Sequence, residues 1–209
     1  MNDVLVIGIA GGTGSGKSTL THFIKEKFGD DVTVILHDDY YKSFEEIPFE
    51  ERVKLNYDEP QAYDTDQMAR DLAALKAGET VEIPIYDYAG YIRTREPRLV
   101  KPTKVVIAEG LLVLSVPELC DVFDVSVFVD ADADVRLIRR IRRDTAERGR
   151  TFDSVVDQYF ATVKPMHEKY VEPSKKNADL VVLHGGENRV ALDLLYHKIK
   201  NHIEGAVNG

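Results

Sequence analysis

The sequence predicts an α/β fold in which helices wrap both faces of a five-stranded parallel sheet. Five apolar runs, rich in β-branched residues, do not alternate with polar residues. Such runs are typical of strands that are buried on both faces of a parallel sheet. Segments with helical periodicity separate them, which indicates a doubly wound arrangement. The predicted strands cover residues 4–10, 32–36, 105–108, 125–129 and 180–183.

The predicted helices cover residues 17–28, 65–77, 133–147, 152–163 and 188–203. The interval 44–101 interrupts this alternation of strands and helices. It contains four of the eight prolines and five of the ten tyrosines. Within it, residues 80–86 have the pattern of an edge strand, the position in a sheet where Pro84 is tolerated. We therefore predict that 44–101 is a small β-rich insertion over the carboxyl edge of the sheet, where ligands of α/β folds bind.

The composition limits the possible functions. The 209 residues are 44% hydrophobic and 30% charged, which is typical of a single globular domain spanning 1–209. The net charge of −9 is opposite in sign to that of a broad nucleic-acid binder. Cys120 is the single cysteine, which excludes an intrachain disulfide and a thiolate metal cluster. No run approaches the ~20 apolar residues that cross a bilayer, so we expect a cytoplasmic protein.

A glycine-rich octet follows the first predicted strand. It matches the pattern G-x-x-x-x-G-K-[ST] at every fixed position and opens a predicted helix, which is the context of a phosphate-binding loop. Its glycines let backbone N–H groups converge on an anion, and the helix dipole favours negative charge. Lys17 is expected to reach the β- and γ-phosphates of a nucleoside triphosphate, and Ser18 to ligate Mg²⁺. The residues expected to bind the nucleotide are Gly11, Gly12, Thr13, Gly14, Ser15, Gly16, Lys17, Ser18 and Thr19.

Carboxylates follow two further predicted strands. Asp38 and Asp39 come just after residues 32–36, at an edge where α/β active sites lie. A hydroxyl that accepts a phosphoryl group needs a carboxylate to orient it and take its proton, and either aspartate could serve. Aspartate also caps turns and helices, so a structural role stays open. Glu109 ends the third run, where an acid of a phosphate-loop protein usually works near Mg²⁺.

Seven arginines and no lysine lie between residues 136 and 150, and with two acids they give this stretch a charge of +5. At about 100° per residue the first arginines share one helix face, and the apolar side chains share another. We predict that the apolar face packs and that the other face is a row of cations. The planar guanidinium group of arginine can donate two parallel hydrogen bonds to a phosphate, so residues 134–151 are predicted to form a lid. The alternative is that the arginines form a solvated charged face. The apolar face consists of Leu137, Ile138 and Ile141, and the arginine face of Arg136, Arg139, Arg140 and Arg143.

Six motifs, in this order, resemble the uridine–cytidine kinase family. The likeness runs from about residue 4 to residue 190. It implies a P-loop kinase fold that transfers a phosphoryl group from ATP or GTP, with Mg²⁺, to the 5′-hydroxyl of uridine or cytidine. It also implies a homotetramer whose partner is a small-molecule nucleoside, with no nucleic acid and no membrane. The motifs are Gly-Gly-Thr-Gly-Ser-Gly-Lys-Ser-Thr (11–19), His-Asp-Asp-Tyr-Tyr (37–41), Asn-Tyr-Asp-Glu-Pro (56–60), Pro-Ile-Tyr-Asp-Tyr (84–88), Glu-Gly (109–110) and Arg-Arg-Ile-Arg-Arg-Asp…Glu-Arg-Gly-Arg (139–150).

The resemblance also implies roles for single residues. Asp38 matches the catalytic base, and Asp58 matches the carboxylate that holds the ribose hydroxyls. Segments 175–179 and 185–188, with Glu187, resemble the part that abuts the adenine of the donor. The residues implied to act on the phosphoryl group are Lys17, Arg143 and Arg148. Those implied to bind the substrate are Asp58, Tyr41, Tyr86, Tyr91, Arg140, Arg150 and Gln158, and those implied to bind the metal are Ser18 and Glu109.

One position departs from the family pattern. Tyr91 stands where the family usually has a histidine that reads the 4-position of the pyrimidine. A neutral histidine offers a donor or an acceptor by its tautomer, whereas a tyrosine hydroxyl committed to a protein acceptor can only accept. Such a hydroxyl would pair with the amino group of cytosine, so we hypothesise a cytidine preference. If the hydroxyl rotates freely, both bases are used.

Three other functions share part of these motifs. A phosphoribulokinase-like sugar kinase has the phosphate loop and the early carboxylate but needs no aromatic pocket for a base. A pantothenate-kinase-like enzyme has similar early motifs. A regulatory ATP-binding module needs neither Asp38 nor an arginine lid. The tyrosines of 44–101 and Asp58 favour a nucleoside, because they supply stacking surfaces and an acceptor for ribose hydroxyls.

Overall fold

The computed structural model describes residues 4–205, and its centre is an all-parallel sheet of five strands. The order of strands across the sheet is β2-β7-β1-β8-β9. Strands β3 with β6, and β4 with β5, form two separate antiparallel pairs. In the described part of the chain the strands are β1 (Leu5–Ala10), β2 (Val32–Leu36), β3 (Val81–Ile83), β4 (Tyr86–Asp87), β5 (Ile92–Arg93), β6 (Arg98–Val100), β7 (Val105–Glu109), β8 (Val125–Val129) and β9 (Leu180–Val182).

The helices follow the strands in alternation. The predicted helical segments are all helical, and four of the five have ends within one residue of the prediction, whereas helical turns continue the segment 152–163 as far as Asn177. The segment 152–163 finishes in one of two π-helical turns, Tyr159–Val163 and His167–Val171. No helix among residues 4–205 is long and apolar enough to cross a bilayer. The α-helices are α1 (Lys17–Phe28), α2 (Phe49–Arg52), α3 (Thr65–Lys76), α4 (Pro117–Cys120), α5 (Ala133–Glu147), α6 (Phe152–Gln158), α7 (Lys164–Met166), α8 (Glu172–Ser174) and α9 (Arg189–Ile203).

Two apolar clusters lie on the two faces of the sheet. Val6 and Ala10 of β1 belong to one cluster, whereas Ile7 and Ile9 of the same strand belong to the other. Every residue of β1 is buried, because helices cover both of its faces. This burial explains why the strands read as unbroken apolar runs, and the predicted doubly wound parallel sheet is confirmed.

The interval 44–101 contains α2, α3 and the two antiparallel pairs. Helix α3 packs into the core through Met68, Leu72 and Leu75, each fully buried. The prediction of one edge strand over 80–86 is wrong. The strand ends at Ile83, pairs with β6 away from the central sheet, and is followed by Pro84, which cannot donate to a ladder.

Helix α5 buries the face that was predicted to be a row of cations. Arg136 and Arg140 are 6% and 7% exposed and Asp144 is fully buried, whereas Ile138 is 51% exposed. The prediction that Leu137, Ile138 and Ile141 form the packed face is therefore wrong for Ile138, while Leu137 and Ile141 are half-buried. The arginine face meets the glycine-rich loop, where Arg140 donates to Thr13. Arg136 donates to the backbone oxygen of Ala131 just before the helix, and these partners replace water.

Candidate active site

A cleft of about 1150 Å³ lies at the carboxyl ends of β1, β2 and β7. Its walls come from the glycine-rich loop, the turn after β2, the 44–101 interval and α5. These segments are far apart in sequence, and the parallel sheet brings their ends to one edge. The cleft is large enough for two small ligands, since typical small-molecule sites have 300–1,000 Å³.

The glycine-rich loop forms one end of this cleft. Gly14 has φ +74°, and a Cβ on it would lie 2.4 Å from the backbone oxygen of Arg136. Only glycine fits there, because both the left-handed backbone and the close approach exclude a side chain. The loop residues that line the cleft are Thr13, Gly14, Gly16, Lys17, Ser18 and Thr19. Gly11, Gly12 and Ser15 lie behind them, and the Ser15 hydroxyl is buried without a partner.

Lys17 lies folded against its own loop. Its Nζ donates to the carbonyl oxygen of Gly11 at 2.9 Å and to that of Gly12 at 3.3 Å. Burial lowers the pKa of Lys17, while Glu109 and Asp38 oppose that shift. An ammonium that donates to neutral carbonyl oxygens gains charge-assisted hydrogen bonds when a phosphate approaches, so this end of the cleft suits a polyphosphate.

Glu109 joins the end of β7 to the first turn of α1. The Ser18 hydroxyl donates to Oε1 at 2.7 Å and the Thr21 hydroxyl to Oε2 at 2.7 Å. Mg²⁺ takes oxygen ligands, commonly one or two carboxylates completed by substrate phosphates. Ser18 and Glu109 are such ligands beside the phosphate loop, so the donor set fits Mg²⁺. No cluster of three or more acidic, histidine or cysteine side chains within residues 4–205 could hold a metal without added ligands.

The two aspartates after β2 have different surroundings. Asp38 lines the cleft, whereas Asp39 faces Arg98 of β6, with 3.6 Å between the charged atoms. Burial raises the pKa of Asp38 to about 6, Lys17 opposes the shift, and Glu109 adds to it. A carboxylate with a pKa near neutrality matches a general base better than an ordinary one does. The geometry thus favours Asp38 over Asp39.

Asp58 lies on the opposite wall from the sheet. Its Oδ2 accepts from the Thr162 hydroxyl at 3.3 Å, and Thr162 belongs to the first π-helical turn. Burial raises the pKa of Asp58, and Arg140 and Thr162 oppose that shift. The sequence analysis did not single out Thr162. A π-helical turn, which often marks a functional site, has no sequence signal that we could have used.

Six tyrosines line the half of the cleft away from the glycine-rich loop. The Tyr63 hydroxyl donates to that of Tyr41 at 2.7 Å, and Tyr41 donates to the backbone oxygen of Tyr57 at 3.1 Å. Tyr41 and Tyr63 stack with centroids 4.3 Å apart. These contacts fix the ring positions, so the pocket offers flat apolar walls without a large ordering cost. The six are Tyr41, Tyr57, Tyr63, Tyr86, Tyr88 and Tyr91.

Tyr91 lies where its backbone has a left-handed φ of 53°. Its ring centre is 5.4 Å from that of Tyr57 and 6.2 Å from that of Phe49. The neighbouring Tyr86 hydroxyl is buried without a partner, and its pKa is raised by burial and by Tyr57 and Tyr91.

Arginines of α5 and of the turn after it form the lid side of the cleft. Arg140 donates to Thr13 of the glycine-rich loop at 3.1 Å and to Gln158 Oε1 at 2.8 Å. Arg150 donates to the same oxygen of Gln158. Gly149 has a left-handed φ of 63°, which turns the chain back so that Arg150 rejoins the cluster. The predicted arginines that line the cleft are Arg140, Arg143, Arg148 and Arg150, with Gln158.

Some of the residues that were singled out in the sequence do not line the cleft. Arg136 packs behind the loop and pairs with His167 at 3.1 Å. Gly186 and Glu187 line the cleft, but residues 175–179 do not. Lys175 pairs instead with Asp130 at 2.5 Å. The one acid that contacts four arginines, Asp144, was counted in the sequence only as a charge.

Comparison with known proteins gives a consistent picture. The model of the "Phosphoribulokinase / Uridine kinase family" matches residues 6–191. The chain is 49% identical over 208 residues to a uridine kinase of Bacillus mycoides (strain KBAB4), covering 99% of this chain and 98% of the relative. It is 48% identical over 201 residues to a uridine kinase of Listeria innocua, covering 96% of both. The solved phosphoribulokinase of Rhodobacter spheroides superposes with a TM-score of 0.66 at 16% identity, covering 88% of this chain and 71% of that one. At that identity the likeness concerns the fold, and the predicted P-loop kinase fold is confirmed.

Proposed function

This chain belongs to the phosphoribulokinase/uridine kinase family, and on that premise we propose that it phosphorylates the 5′-hydroxyl of uridine or cytidine with ATP or GTP. The observation that carries the proposal is a single cleft with a phosphate loop at one end and six tyrosines at the other. Asp38 and Asp58 lie between them. A nucleoside has the flat base, the paired ribose hydroxyls and the primary hydroxyl that such a cleft accommodates.

The acceptor is held by the carboxylates and the tyrosines. Asp58 accepts hydrogen bonds from the two ribose hydroxyls, since an ionised carboxylate offers several lone pairs. Tyr41, Tyr86 and Tyr91 enclose the base. Asp38 orients the 5′-hydroxyl and takes its proton, a role that its pKa of about 6 supports because the group is ionised at neutral pH.

The donor lies against the glycine-rich loop. Backbone N–H groups from Gly11 to Thr19 surround its phosphates, and Lys17 leaves its carbonyl acceptors to pair with them. Mg²⁺, held by Ser18 and Glu109, supplies charge neutralisation at the phosphates when bound. Arg143 and Arg148 neutralise the negative charge of the transferred group. Glu187 lies at the donor end, with Gly186 packed on Gly16.

A transfer assay with several acceptors tests this proposal. Labelled γ-phosphate from ATP is offered with uridine, cytidine, ribulose 5-phosphate or pantothenate, and with water as the control acceptor. We expect label to appear in the two nucleosides at rates at least 10²-fold above those of the other acceptors. Transfer mainly to ribulose phosphate or pantothenate would replace the nucleoside proposal by the corresponding sugar or pantothenate kinase. Hydrolysis without an acceptor would indicate a regulatory ATPase.

We propose further that the protein works in the cytoplasm as a homotetramer. Several large apolar side chains are more than half exposed on the single chain, among them Val190 at 71% and Leu99 at 63%. Exposed apolar surface of this kind is frequently covered in an assembly. Sedimentation of the purified protein should give four times the mass of the chain, and a monomer at micromolar concentration would contradict the tetramer.

A further inference from the structure

Asp144 is the fully buried acid at the centre of the arginine cluster. Its Oδ1 accepts from Arg143 Nε at 2.9 Å and lies 3.5 Å from Arg148 Nη1. Its Oδ2 lies 3.6 Å from Arg140 and 3.8 Å from Arg150. The backbone oxygen of Asp144 also accepts from the N–H of Arg150 at 3.1 Å. One residue thus contacts four of the arginines that line the cleft from this side.

The surroundings of Asp144 are unlike those of an ordinary surface ion pair. The Asp144 side chain is 0% exposed, whereas those of Arg143, Arg148 and Arg150 are 33%, 57% and 30% exposed. The carboxylate therefore lies behind the arginines, and their outer ends reach the cleft. Four cations placed so close together repel one another, and the acid between them offsets that repulsion.

The spacing along the chain explains how one acid reaches four partners. Asp144 lies four residues after Arg140 and four residues before Arg148. The three residues therefore lie on one side of α5, with Arg148 as the first residue after the helix. Arg143 is the adjacent residue. Gly149, in a left-handed conformation, turns the backbone so that Arg150 returns to the same carboxylate.

Two features of the cluster leave polar atoms available for new hydrogen bonds when a phosphate binds. Asp144 Oδ2 and Arg140 Nε are both buried and make no hydrogen bond within residues 4–205, although they lie 3.6 Å apart. Arg143 donates through Nε to Oδ1, with Nη2 at 2.8 Å from the same oxygen, and keeps Nη1 for another acceptor. The arrangement holds the arginines in place without using up their donors.

We propose that Asp144 is a positioning residue that holds Arg140, Arg143, Arg148 and Arg150 in the geometry that receives the phosphates, an inference that rests on the proposed kinase function. It touches neither substrate, and it acts only through the arginines. Guanidinium groups that are already held in place form several directed hydrogen bonds to a polyphosphate. Mobile arginine side chains lose conformational entropy when they bind it.

Removing the charge of Asp144 separates two explanations of the cluster. If only net charge matters, Asp144→Asn makes the cluster more positive and strengthens the binding of an anion. If Asp144 positions the arginines, the same substitution frees them and weakens binding. The two explanations therefore predict opposite signs for one measurement.

The experiment measures the affinity for inorganic tripolyphosphate by titration calorimetry and the steady-state kinetics on the better nucleoside. We expect Asp144→Asn to bind tripolyphosphate roughly tenfold more weakly and to lose about 10²-fold in kcat, with a much smaller change in the KM of the nucleoside. Asp144→Glu keeps the carboxylate and should recover most of the affinity and part of kcat. The matched control is Asp153→Asn, an exposed acid without an ion pair in the described chain, which should change both quantities less than twofold.

A folded Asp144→Asn variant that keeps the wild-type kcat overturns the proposal, and so does one that binds tripolyphosphate as tightly as wild type. Thermal melting shows whether the variant is folded. If it is not, Asp144→Glu decides, because a folded glutamate variant with unchanged kcat would show that carboxylate position is irrelevant. Failure of wild type to phosphorylate any nucleoside would instead reject the kinase function, and the tripolyphosphate affinities would still test Asp144.

Discussion

At the scale of single residues, an ion pair distinguishes two adjacent and identical side chains. Asp38 and Asp39 are adjacent and both have raised pKa values because of burial, but Arg98 lowers only that of Asp39. The sequence could place both aspartates at the end of a strand, because the apolar run stops just before them. It could not choose between them, since Arg98 is 59 residues further along the chain.

The first prediction concerns the pH dependence of the reaction. A general base works in its ionised form, and the pKa of Asp38 is about 6. The rate constant kcat/KM should therefore be constant well above pH 6 and fall about tenfold per unit below it. Asp38→Asn should lower kcat by roughly 10²–10⁴-fold and abolish this acidic limb. An unchanged acidic limb in the asparagine variant would assign the titration to another group.

Asp58 should give a different kinetic signature from Asp38. Its proposed contacts with ribose hydroxyls exist in the ground state as well as in the transition state, so Asp58→Ala should raise KM. Loss of hydrogen bonds to a charged group costs about 1.5–3 kcal/mol, which corresponds to a rise in KM of roughly 10- to 100-fold. Nucleoside titration kinetics test this. A variant that loses kcat at constant KM would show that the two carboxylates exchange roles.

Tyr91 should determine the choice of base. If the Tyr91 hydroxyl donates to an acceptor of the protein, such as the buried Tyr86 oxygen, it can only accept from a ligand. Cytosine presents a donor at the 4-position and uracil an acceptor, so we expect a cytidine preference of roughly 5- to 150-fold in kcat/KM. Tyr91→His should reduce that ratio. Equal kcat/KM for both nucleosides in wild type would refute the preference, and a ratio that survives in the histidine variant would place selectivity elsewhere.

At the scale of an element, helix α5 shows where periodicity misleads. The heptad-like placing of Leu137, Ile138 and Ile141 indicates an apolar face, and in isolation that face would be buried. In the fold the opposite face meets the glycine-rich loop, because Arg140 has an acceptor there in Thr13, while Arg136 donates to the backbone oxygen of Ala131 just before the helix. Acceptors contributed by other elements decided which face is inside, and they are invisible in the helix sequence.

The junction of β7 and α1 carries a prediction about the metal. Glu109 accepts from Ser18 and Thr21 with its two oxygens, so it holds the Ser18 hydroxyl in place. Glu109→Gln leaves one oxygen acceptor and removes the charge, and it should raise the Mg²⁺ concentration for half-maximal activity roughly 10- to 100-fold. Metal titration of the initial rate measures this. Glu26→Gln, an exposed acid on α1, is the control, and equal metal dependence in both variants would exclude Glu109 from the metal site.

At the scale of the whole molecule, the sequence was sufficient to predict the parallel sheet and the glycine-rich loop. Both follow from local signals: unbroken apolar runs for strands buried on two faces, and a glycine pattern that needs a particular backbone. The contacts of Asp144 and Thr162 were not predictable, because each depends on where separate elements meet. The pairing of β3 with β6 likewise depends on two segments 15 residues apart that carry no turn signal of their own.

The way in which distant elements share one cleft leads to the last prediction, which concerns stability. The phosphate site joins the glycine-rich loop to α5 and to Gly186, so a bound polyphosphate should hold these parts of the molecule together. Ligand at 100 times its Kd stabilises the folded state by about 2.7 kcal/mol, which for a chain of this size raises Tm by about 5–10 °C.

Lys17 is central to that linkage, because its half-buried ammonium lines the cleft and donates to neutral carbonyl oxygens that a phosphate can replace. In Lys17→Ala we expect the rise in Tm on adding Mg-ATP to disappear and turnover to be lost, while the Tm without ligand stays close to wild type or increases, since a costly half-buried charge has been removed. Lys198→Ala, an exposed lysine on α9, should keep the full ligand-induced rise. Melting curves with and without Mg-ATP make the comparison. An undiminished rise in the Lys17 variant would mean that the glycine-rich loop is not where the triphosphate binds.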